Sequence, residues 1–122
     1  MRKSKTSQTR TVDELLQELV LFQHDPQLID EIKIHAYAGN PHAQYGLGLI
    51  YAEGRGVDED LVKSFAWLSV AIREGDQDAE SLRYIVAERM NDVQLAEVDA
   101  MILLITKKIQ ANHYANKGHT IN

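Results

Sequence analysis

The sequence predicts an all-α protein, a short right-handed α-α superhelix (a solenoid) of about three antiparallel helix pairs. Apolar residues recur at helical spacing along most of the chain, and Val, Ile and Thr do not alternate with polar residues over a strand-length run. The two prolines, Pro26 and Pro41, both stand at expected helix starts. A glycine followed by a capping residue occurs at 39–40 and again at 75–76, a period of 36 residues that is typical of stacked helical repeats.

Three helices are expected in the first part of the chain. Thr11 and Glu14 have the spacing of a capping box, which starts the first helix. Its apolar face comprises Val12, Leu15, Leu16, Leu19 and Phe22. The second helix begins at Pro26 and ends at Gly39, a residue suited to a C-cap. Asn40 is the expected N-cap of the third helix, with a proline in the first helical position.

Three more helices are expected in the second part. The fourth begins at an Asp58 cap and ends at Gly75, and it is so apolar all round that it has to pack on two sides. The fifth begins at Asp76. The sixth begins at Asn91 and ends shortly after the lysine pair at 107–108, whose charges favour a helix C-terminus.

These elements divide the chain into a disordered basic tail (residues 1–10), a single helical domain (11–111) and a flexible C-terminal tail (112–122). A chain of 122 residues can form one core without disulfides, and this one contains no cysteine. No apolar segment follows the basic N-terminus, and the longest apolar run, residues 101–105, is far shorter than the roughly 20 residues that cross a bilayer. We therefore expect a cytoplasmic protein without membrane insertion.

Charge is distributed unevenly along the chain. Residues 1–10 contain four basic residues and no acid, so they carry +4. Because the net charge is −5, the remaining residues carry −9. A body this acidic is a poor surface for nucleic acid, since phosphate binding depends on clustered lysine and arginine. We expect no nucleic-acid partner and a solvated tail.

The region 43–75 contains a dozen residues at fixed spacing that closely resemble a Sel1-like repeat, a relative of the tetratricopeptide repeat. The matching residues are Ala43, Leu47, Gly48, Tyr51, Gly54, Gly56, Val57, Asp60, Lys63, Trp67, Ala71 and Gly75. Residues 75–101 are similar to a degenerate terminal repeat, but they have Arg83 and Tyr84 where leucine and glycine are usual. Residues 27–39 resemble the second helix of a preceding repeat.

Small and large residues in this region have complementary packing roles. Gly48 lets two helices approach closely, while Tyr51 and Trp67 fill the space beside the crossing. Gly54 ends the third helix, and Gly56 permits a backbone conformation that a side chain would strain. The acids that follow would repel an anion, so the loop within residues 51–60 is a helix connector and not a phosphate-binding loop.

The resemblance implies binding without catalysis. Sel1-like repeat proteins serve as adaptors and scaffolds, hold partners in a groove lined by the first helix of each pair, and share no catalytic residues. The candidate partner-binding residues here are His42, Tyr45, Leu49, Ala52, Glu53 and Arg83. Tyr45 and Leu49 are neighbours at i and i+4; either they are exposed as a binding pair or the flanking helix pairs cover them.

No arrangement of residues in the sequence indicates an enzyme. The five histidines show no metal-binding spacing, and the acids at 58–60 lack the alternating oxygen ligands of a calcium loop. No histidine base is spaced near Ser64, Ser69 or Ser81. We therefore expect no catalytic residue, no metal and no cofactor.

The last helix is too apolar for the end of a solenoid, which needs a polar outer face. Its stripe consists of Leu95, Val98, Ile102, Ile105 and Ile109, widened by Met101, Leu103 and Leu104. In the favoured arrangement this helix folds back and the N-terminal helices bury it, and in the other it forms a homodimer or partner interface. The sequence thus predicts an adaptor for a protein or peptide partner, with a self-associating homodimeric scaffold as the alternative.

Overall fold

A computed structural model describes residues 11–21 and 26–121, where all the regular structure is α-helical and no strand occurs. Six helices follow one another: α1 (Val12–Leu21), α2 (Pro26–Tyr37), α3 (Pro41–Glu53), α4 (Leu61–Arg73), α5 (Asp78–Glu88) and α6 (Asp92–Ile121). The predicted all-α class is therefore confirmed. Each of these helices is too short or too polar to cross a membrane. The N-terminal tail, Phe22 and the side chain of Leu19 lie outside the described residues.

Capping side chains begin the early helices as the sequence predicts. Thr11 Oγ1 accepts a hydrogen bond from Glu14 N (3.1 Å), and Glu14 Oε1 accepts one from Thr11 N (2.9 Å), which completes a capping box. At α3, Asn40 Oδ1 accepts hydrogen bonds from His42 N (2.9 Å) and Ala43 N (3.0 Å). These bonds satisfy backbone donors that have no partner within the helix.

Helices α3 and α4 cross closely at Gly48. A Cβ atom on Gly48 would lie 2.4 Å from Leu68 Cδ2 and 2.5 Å from its Cγ, so only glycine fits without movement of the buried leucine. Ser64 Oγ donates a hydrogen bond to Gly48 O (2.7 Å), and Asp60 N donates one to Tyr51 O (2.9 Å). Because these contacts pair later residues of α4 with earlier residues of α3, the two helices run antiparallel.

The connector between α3 and α4 uses two glycines in the left-handed region. Gly54 (φ 69°) ends α3, with its N–H donating to Ile50 O (2.8 Å), and Gly56 has φ 74°. Val57 then packs against the first core cluster. A side chain at either glycine would adopt a strained backbone conformation.

The N-cap of α4 is Asp60, so the prediction of an Asp58 cap is wrong. Helix α4 begins at Leu61, and Asp60 Oδ1 accepts a hydrogen bond from Lys63 N (3.0 Å). The bond from Asp60 N to Tyr51 O holds this residue in extended backbone against α3, which delays the helix start beyond the two preceding acids. Asp58 and Asp60 both have side chains suited to an N-cap, and the tertiary contact selects Asp60.

We expect Asp60→Ala to lower the free energy of unfolding by about 1 kcal/mol, the usual cost of losing a helix cap. Asp58→Ala is the matched control, because Asp58 is exposed and its change should fall within about 0.5 kcal/mol. Urea denaturation of both variants, followed by circular dichroism, measures the difference. Equal losses in the two variants would contradict the cap assignment.

The core consists of two clusters that share α4. The first lies among α1, α2, α3, α4 and α6 and contains Leu15, Ile32, Leu47, Ile50, Trp67, Val70 and Ile105. The second lies among α3, α4 and α5 and contains Ala52, Leu61, Leu68, Ala71, Ala79 and Val86. The prediction that this helix packs on two sides is confirmed, and its small residues allow neighbours on both sides to come close.

Helices α5 and α6 begin slightly differently from the prediction. Asp76 lies before α5, where its Oδ1 accepts a hydrogen bond from Asp78 N (3.0 Å). Asn91 and Gln94 form a second reciprocal box at α6, with N···O distances of 2.8 and 3.0 Å. Helix α6 does not end after the lysine pair at 107–108 but continues to Ile121, so those lysines lie in its middle.

Helix α6 packs mainly against α4 and makes a smaller contact with α2. The favoured burial by the N-terminal helices is therefore wrong in its main partner, because α4 supplies most of the cover. Val98 and Ile105 are buried, and Met101, Ile102 and Ile109 contact the first core cluster. Asn112 Nδ2 donates to Tyr37 O (3.1 Å), which fixes α6 to the end of α2. The opposite face of the helix stays exposed, with Leu103 and Leu104 each 56% accessible.

Candidate functional site

The predicted binding residues on α3 are engaged within the chain to different extents. His42 is half exposed, yet its Nε2 lies 2.9 Å from Asp13 Oδ1 of α1 and its Nδ1 lies 3.6 Å from Asp76 Oδ2. Tyr45 packs against the second core cluster, and Leu49 is partly exposed. The side chains of Tyr45 and Leu49 are therefore neither fully covered nor displayed as an open pair.

The surroundings of Tyr45 keep its hydroxyl protonated. Burial raises its pKa above the usual tyrosine value, and the nearby carboxylates of Asp76, Asp78 and Glu53 raise it further. A neutral phenol beside acidic groups can donate a hydrogen bond, so this edge of α3 suits an uncharged or cationic group better than an anion.

The other three predicted binding residues, Ala52, Glu53 and Arg83, are buried or contact other residues of the chain. Ala52 is 4% exposed and lies in the second core cluster, so it presents no surface to a partner. Glu53 forms an ion pair with Arg55. The guanidinium of Arg83 lies 5.3 Å from the centre of the Phe65 ring and donates to Ser69 Oγ (3.1 Å). The two contacts of Arg83 hold α5 against α4.

A cavity of about 400 Å³ lies apart from these residues, between α2, α3, α4 and α6. Its walls combine aromatic, aliphatic and lysine side chains: Lys33, Tyr37, Tyr51, Lys63, Trp67, Met101, Leu104, Ile105 and Lys108. Its volume is within the range of ligand-binding clefts, and its composition, an apolar lining with a few polar groups, is typical of them.

Aromatic rings form one side of this cavity. The rings of Tyr37 and Trp67 meet edge to face, with centroids 5.0 Å apart and planes at 72°. Trp67 and Tyr51 are largely buried, and Tyr37 is partly buried. Burial raises the pKa of Tyr37, and Tyr51 nearby raises it further, so the Tyr37 hydroxyl remains a neutral donor.

Three lysine side chains line the cavity, and two of them lie over its tyrosine rings. Lys108 Nζ lies 5.1 Å from the centre of the Tyr37 ring, and Lys63 Nζ lies 5.4 Å from that of Tyr51, distances at which cation–π attraction acts. Among the described residues, no carboxylate forms an ion pair with Lys33, Lys63 or Lys108. The cavity therefore offers three ammonium groups beside an apolar surface.

A second recess of about 300 Å³ lies beside this cavity, between α4 and α6. The two share Met101 and Leu104 as walls, and the second is also lined by Asp60, Val62, Glu97 and Ala100. The two neighbouring recesses are here called the α4–α6 groove, which has lysines in one recess and carboxylates in the other.

A larger cavity of about 610 Å³ lies near the far end of α6, lined by Ala38, Gly39, Glu74, Ile109, Gln110, His113 and Tyr114. It is more open to solvent than the lysine-lined cavity, and its ionisable residues are Glu74, His113 and Tyr114. In residues 11–21 and 26–121, no cluster of three histidine or acidic side chains is placed to hold a metal ion.

The lysine-lined cavity was not predicted from the sequence, although α2 and α4 each have a lysine and an aromatic residue at helical spacing. Lys33 and Tyr37 on α2 are four residues apart, as are Lys63 and Trp67 on α4, so each pair shares a helix face. What the spacing does not show is that α6 brings Lys108 against those two faces.

Comparison with known proteins adds no assignment: no family model matches the chain, and no curated protein matches its sequence. The resemblance of residues 43–75 to a Sel1-like repeat therefore stays a prediction, and the geometry of the surface is the remaining basis for a function.

Proposed function

We propose that this chain is a non-enzymatic adaptor that binds a peptide segment of a partner protein in the α4–α6 groove. The observation that carries the proposal is the groove itself: two adjoining, largely apolar recesses that share Met101 and Leu104, with lysines in one and carboxylates in the other. An extended peptide fills such a shape better than a compact small molecule, and apolar anchors in partly enclosed pockets supply most of the binding energy of such contacts.

The α3 surface suggested by the Sel1-like resemblance supports the proposal less well. His42, Tyr45 and Arg83 already contact other parts of the chain, so a partner would have to replace those contacts. In the α4–α6 groove, by contrast, Leu104 is 56% exposed and contacts solvent at the centre of the recess.

The short superhelix and the Sel1-like character belong to the same proposal. Their support is local: the glycine crossing of α3 and α4, the two left-handed glycines of the connector, and buried Trp67 all occur where such a repeat requires them. Scaffolds of this kind usually bind extended segments on a surface made by successive helices.

Selection from a displayed random-peptide library tests the adaptor function. We expect peptides with micromolar affinity, whose dissociation constants rise about tenfold in Leu104→Ala because a groove contact is lost. Leu103→Ala is the matched control, since Leu103 is equally exposed but lines neither recess. Trp67, the only tryptophan, reports binding by its fluorescence.

The affinities of the variants distinguish a binding site in the α4–α6 groove from one on α3. Peptides that lose affinity in Tyr45→Ala/Leu49→Ala but not in Leu104→Ala would move the site to α3. If the library yields no binder, the adaptor function itself is contradicted.

A second candidate function, a homodimeric scaffold, is favoured by the exposed leucines of α6. Leu95, Leu103 and Leu104 are between 43% and 56% exposed on a helix whose other face is buried. A dimer mass by light scattering at tens of micromolar that Leu103→Glu converts to a monomer would support this function. A monomer at that concentration would remove it.

A further inference from the structure

The arginines of the described residues and the lysines of the cavity have different surroundings. Four arginines are engaged: Arg55 with Glu53, Arg89 with Glu59, Arg73 with Thr106 and Arg83 with Ser69. The three lysines of the cavity have no carboxylate partner among the described residues, although residues 11–122 carry a net −9. Like charges placed around one cavity repel each other, and an anion bound between them would relieve that repulsion.

The aromatic rings hold two of these lysines beside the cavity. Lys108 lies over Tyr37 and Lys63 over Tyr51, and the edge of Tyr37 meets Trp67. Contact with a ring restricts a long side chain, so less conformational entropy is lost when its ammonium group binds an anion. The site thus favours an anionic group that is covalently attached to an apolar one.

The other end of the groove has the opposite charge. Asp60 and Glu97 line the recess that shares Met101 and Leu104 with the lysine-lined cavity. A ligand with negative charge along its whole length would be repelled there, whereas one with charge at a single end fits both recesses.

We propose that the α4–α6 groove binds an acidic peptide segment in a fixed orientation. Carboxylates of the segment bind Lys33, Lys63 and Lys108, and a large apolar side chain beside them enters the cavity against Tyr37 and Trp67. Uncharged or basic residues of the segment lie along Asp60 and Glu97. This inference rests on the proposed adaptor function and adds the chemistry of the partner.

Titration with synthetic peptides tests the inference, with Trp67 fluorescence as the readout. The probe is a short acetylated and amidated peptide with one phenylalanine, glutamates on one side of it and glutamines on the other, made in both chain orders. We expect one order to bind and its affinity to fall with added salt, because partly exposed charges are screened. A peptide with glutamine in place of every glutamate should bind at least about tenfold more weakly.

Variants of the lysines locate the binding site. Lys63→Gln/Lys108→Gln should weaken binding of the acidic peptide about tenfold or more, because two charge-assisted contacts are lost. Lys107→Gln is the matched control, since Lys107 neighbours Lys108 but does not line the cavity. Lys63→Arg/Lys108→Arg keeps the charges and should retain most of the affinity, which separates loss of charge from loss of fold.

The following outcomes would contradict the proposal that the groove binds an acidic segment. If the glutamine peptide binds as well as the acidic one, or if the lysine variants bind normally, the groove does not recognise carboxylates. Tighter binding of a single-stranded oligonucleotide would assign the lysines and rings to nucleic acid. Library-selected peptides that bind while the acidic probes fail would leave the adaptor function standing and remove only this inference.

Discussion

Replacing Trp67 with alanine is expected to lower the free energy of unfolding by about 3–5 kcal/mol, the usual cost of deleting a large buried side chain. Trp67 is only 3% exposed and belongs to the core cluster that joins the first four helices to α6. Its ring meets Tyr37 of α2 edge to face and lines the cavity that α6 closes. The truncation would leave a void at the place where three helices meet.

Chemical denaturation followed by circular dichroism measures this loss, because the variant has no tryptophan to report on. Trp67→Phe should cost clearly less, since phenylalanine keeps much of the buried area and an aromatic edge for Tyr37. Tyr84→Ala is an exposed aromatic control on α5, with an expected change within about 0.5 kcal/mol. A thermal midpoint of Trp67→Ala within a few degrees of the parent would contradict the assigned role.

Gly48→Ala is expected to lower the free energy of unfolding by about 1–2 kcal/mol, even though alanine favours helices over glycine. The added methyl group would lie 2.4–2.5 Å from Leu68, whose side chain is fully buried and has little room to move. The helices would have to separate, and the bond from Ser64 Oγ to Gly48 O would lengthen. The steric cost exceeds the gain in helix propensity of roughly 0.5–1 kcal/mol.

Gly46→Ala is the matched control for this prediction, since Gly46 lies two residues away in the same helix. Its added methyl group would approach Leu16 Cδ2 at 2.6 Å, the end of a partly exposed side chain that can rotate away. We expect this variant to be close to neutral. Equal effects of Gly46→Ala and Gly48→Ala in urea denaturation would show that the α3–α4 crossing does not depend on the absence of a side chain.

Local chemistry made much of the helical framework predictable. The capping box at Thr11, the Asn40 cap and the glycines of the connector all act over a few residues, so their spacing is visible in one sequence. The close approach at Gly48 was also predictable, because a glycine inside a helix costs stability and needs a packing reason.

Features that depend on distant contacts were predicted less well. The sequence predicted Asp58 as the cap of α4, whereas Asp60, whose N–H donates a hydrogen bond to Tyr51 O, is the cap in the structure. Helix α6 continues to Ile121, beyond the predicted end, and Asn112 of that extra length contacts α2. In both cases the partner lies beyond the few residues over which a capping pattern acts: Tyr51 precedes Asp60 across the α3–α4 connector, and Tyr37 is 75 residues from Asn112.

The candidate site was missed for the same reason. Spacing placed Tyr45 and Leu49 together on α3, but it did not show that α5 and the second core cluster would partly cover Tyr45. It placed Lys63 and Trp67 on one face of α4 without showing that α2 and α6 add Tyr37, Lys33 and Lys108 around them. Burial of α6 was expected against the N-terminal helices, but α4 is its main partner, and the register of α6 against α4 determines which side chains meet.

The central claim, that the α4–α6 groove is the binding site, is tested most directly by nuclear magnetic resonance. ¹⁵N-labelled protein is titrated with the acidic probe peptide, and the amide and indole signals are followed. The groove predicts the largest shifts at the Trp67 indole N–H and at the amides of Lys63, Leu104 and Lys108. Shifts concentrated around Tyr45 and Leu49, or spread evenly over the surface, would contradict the claim.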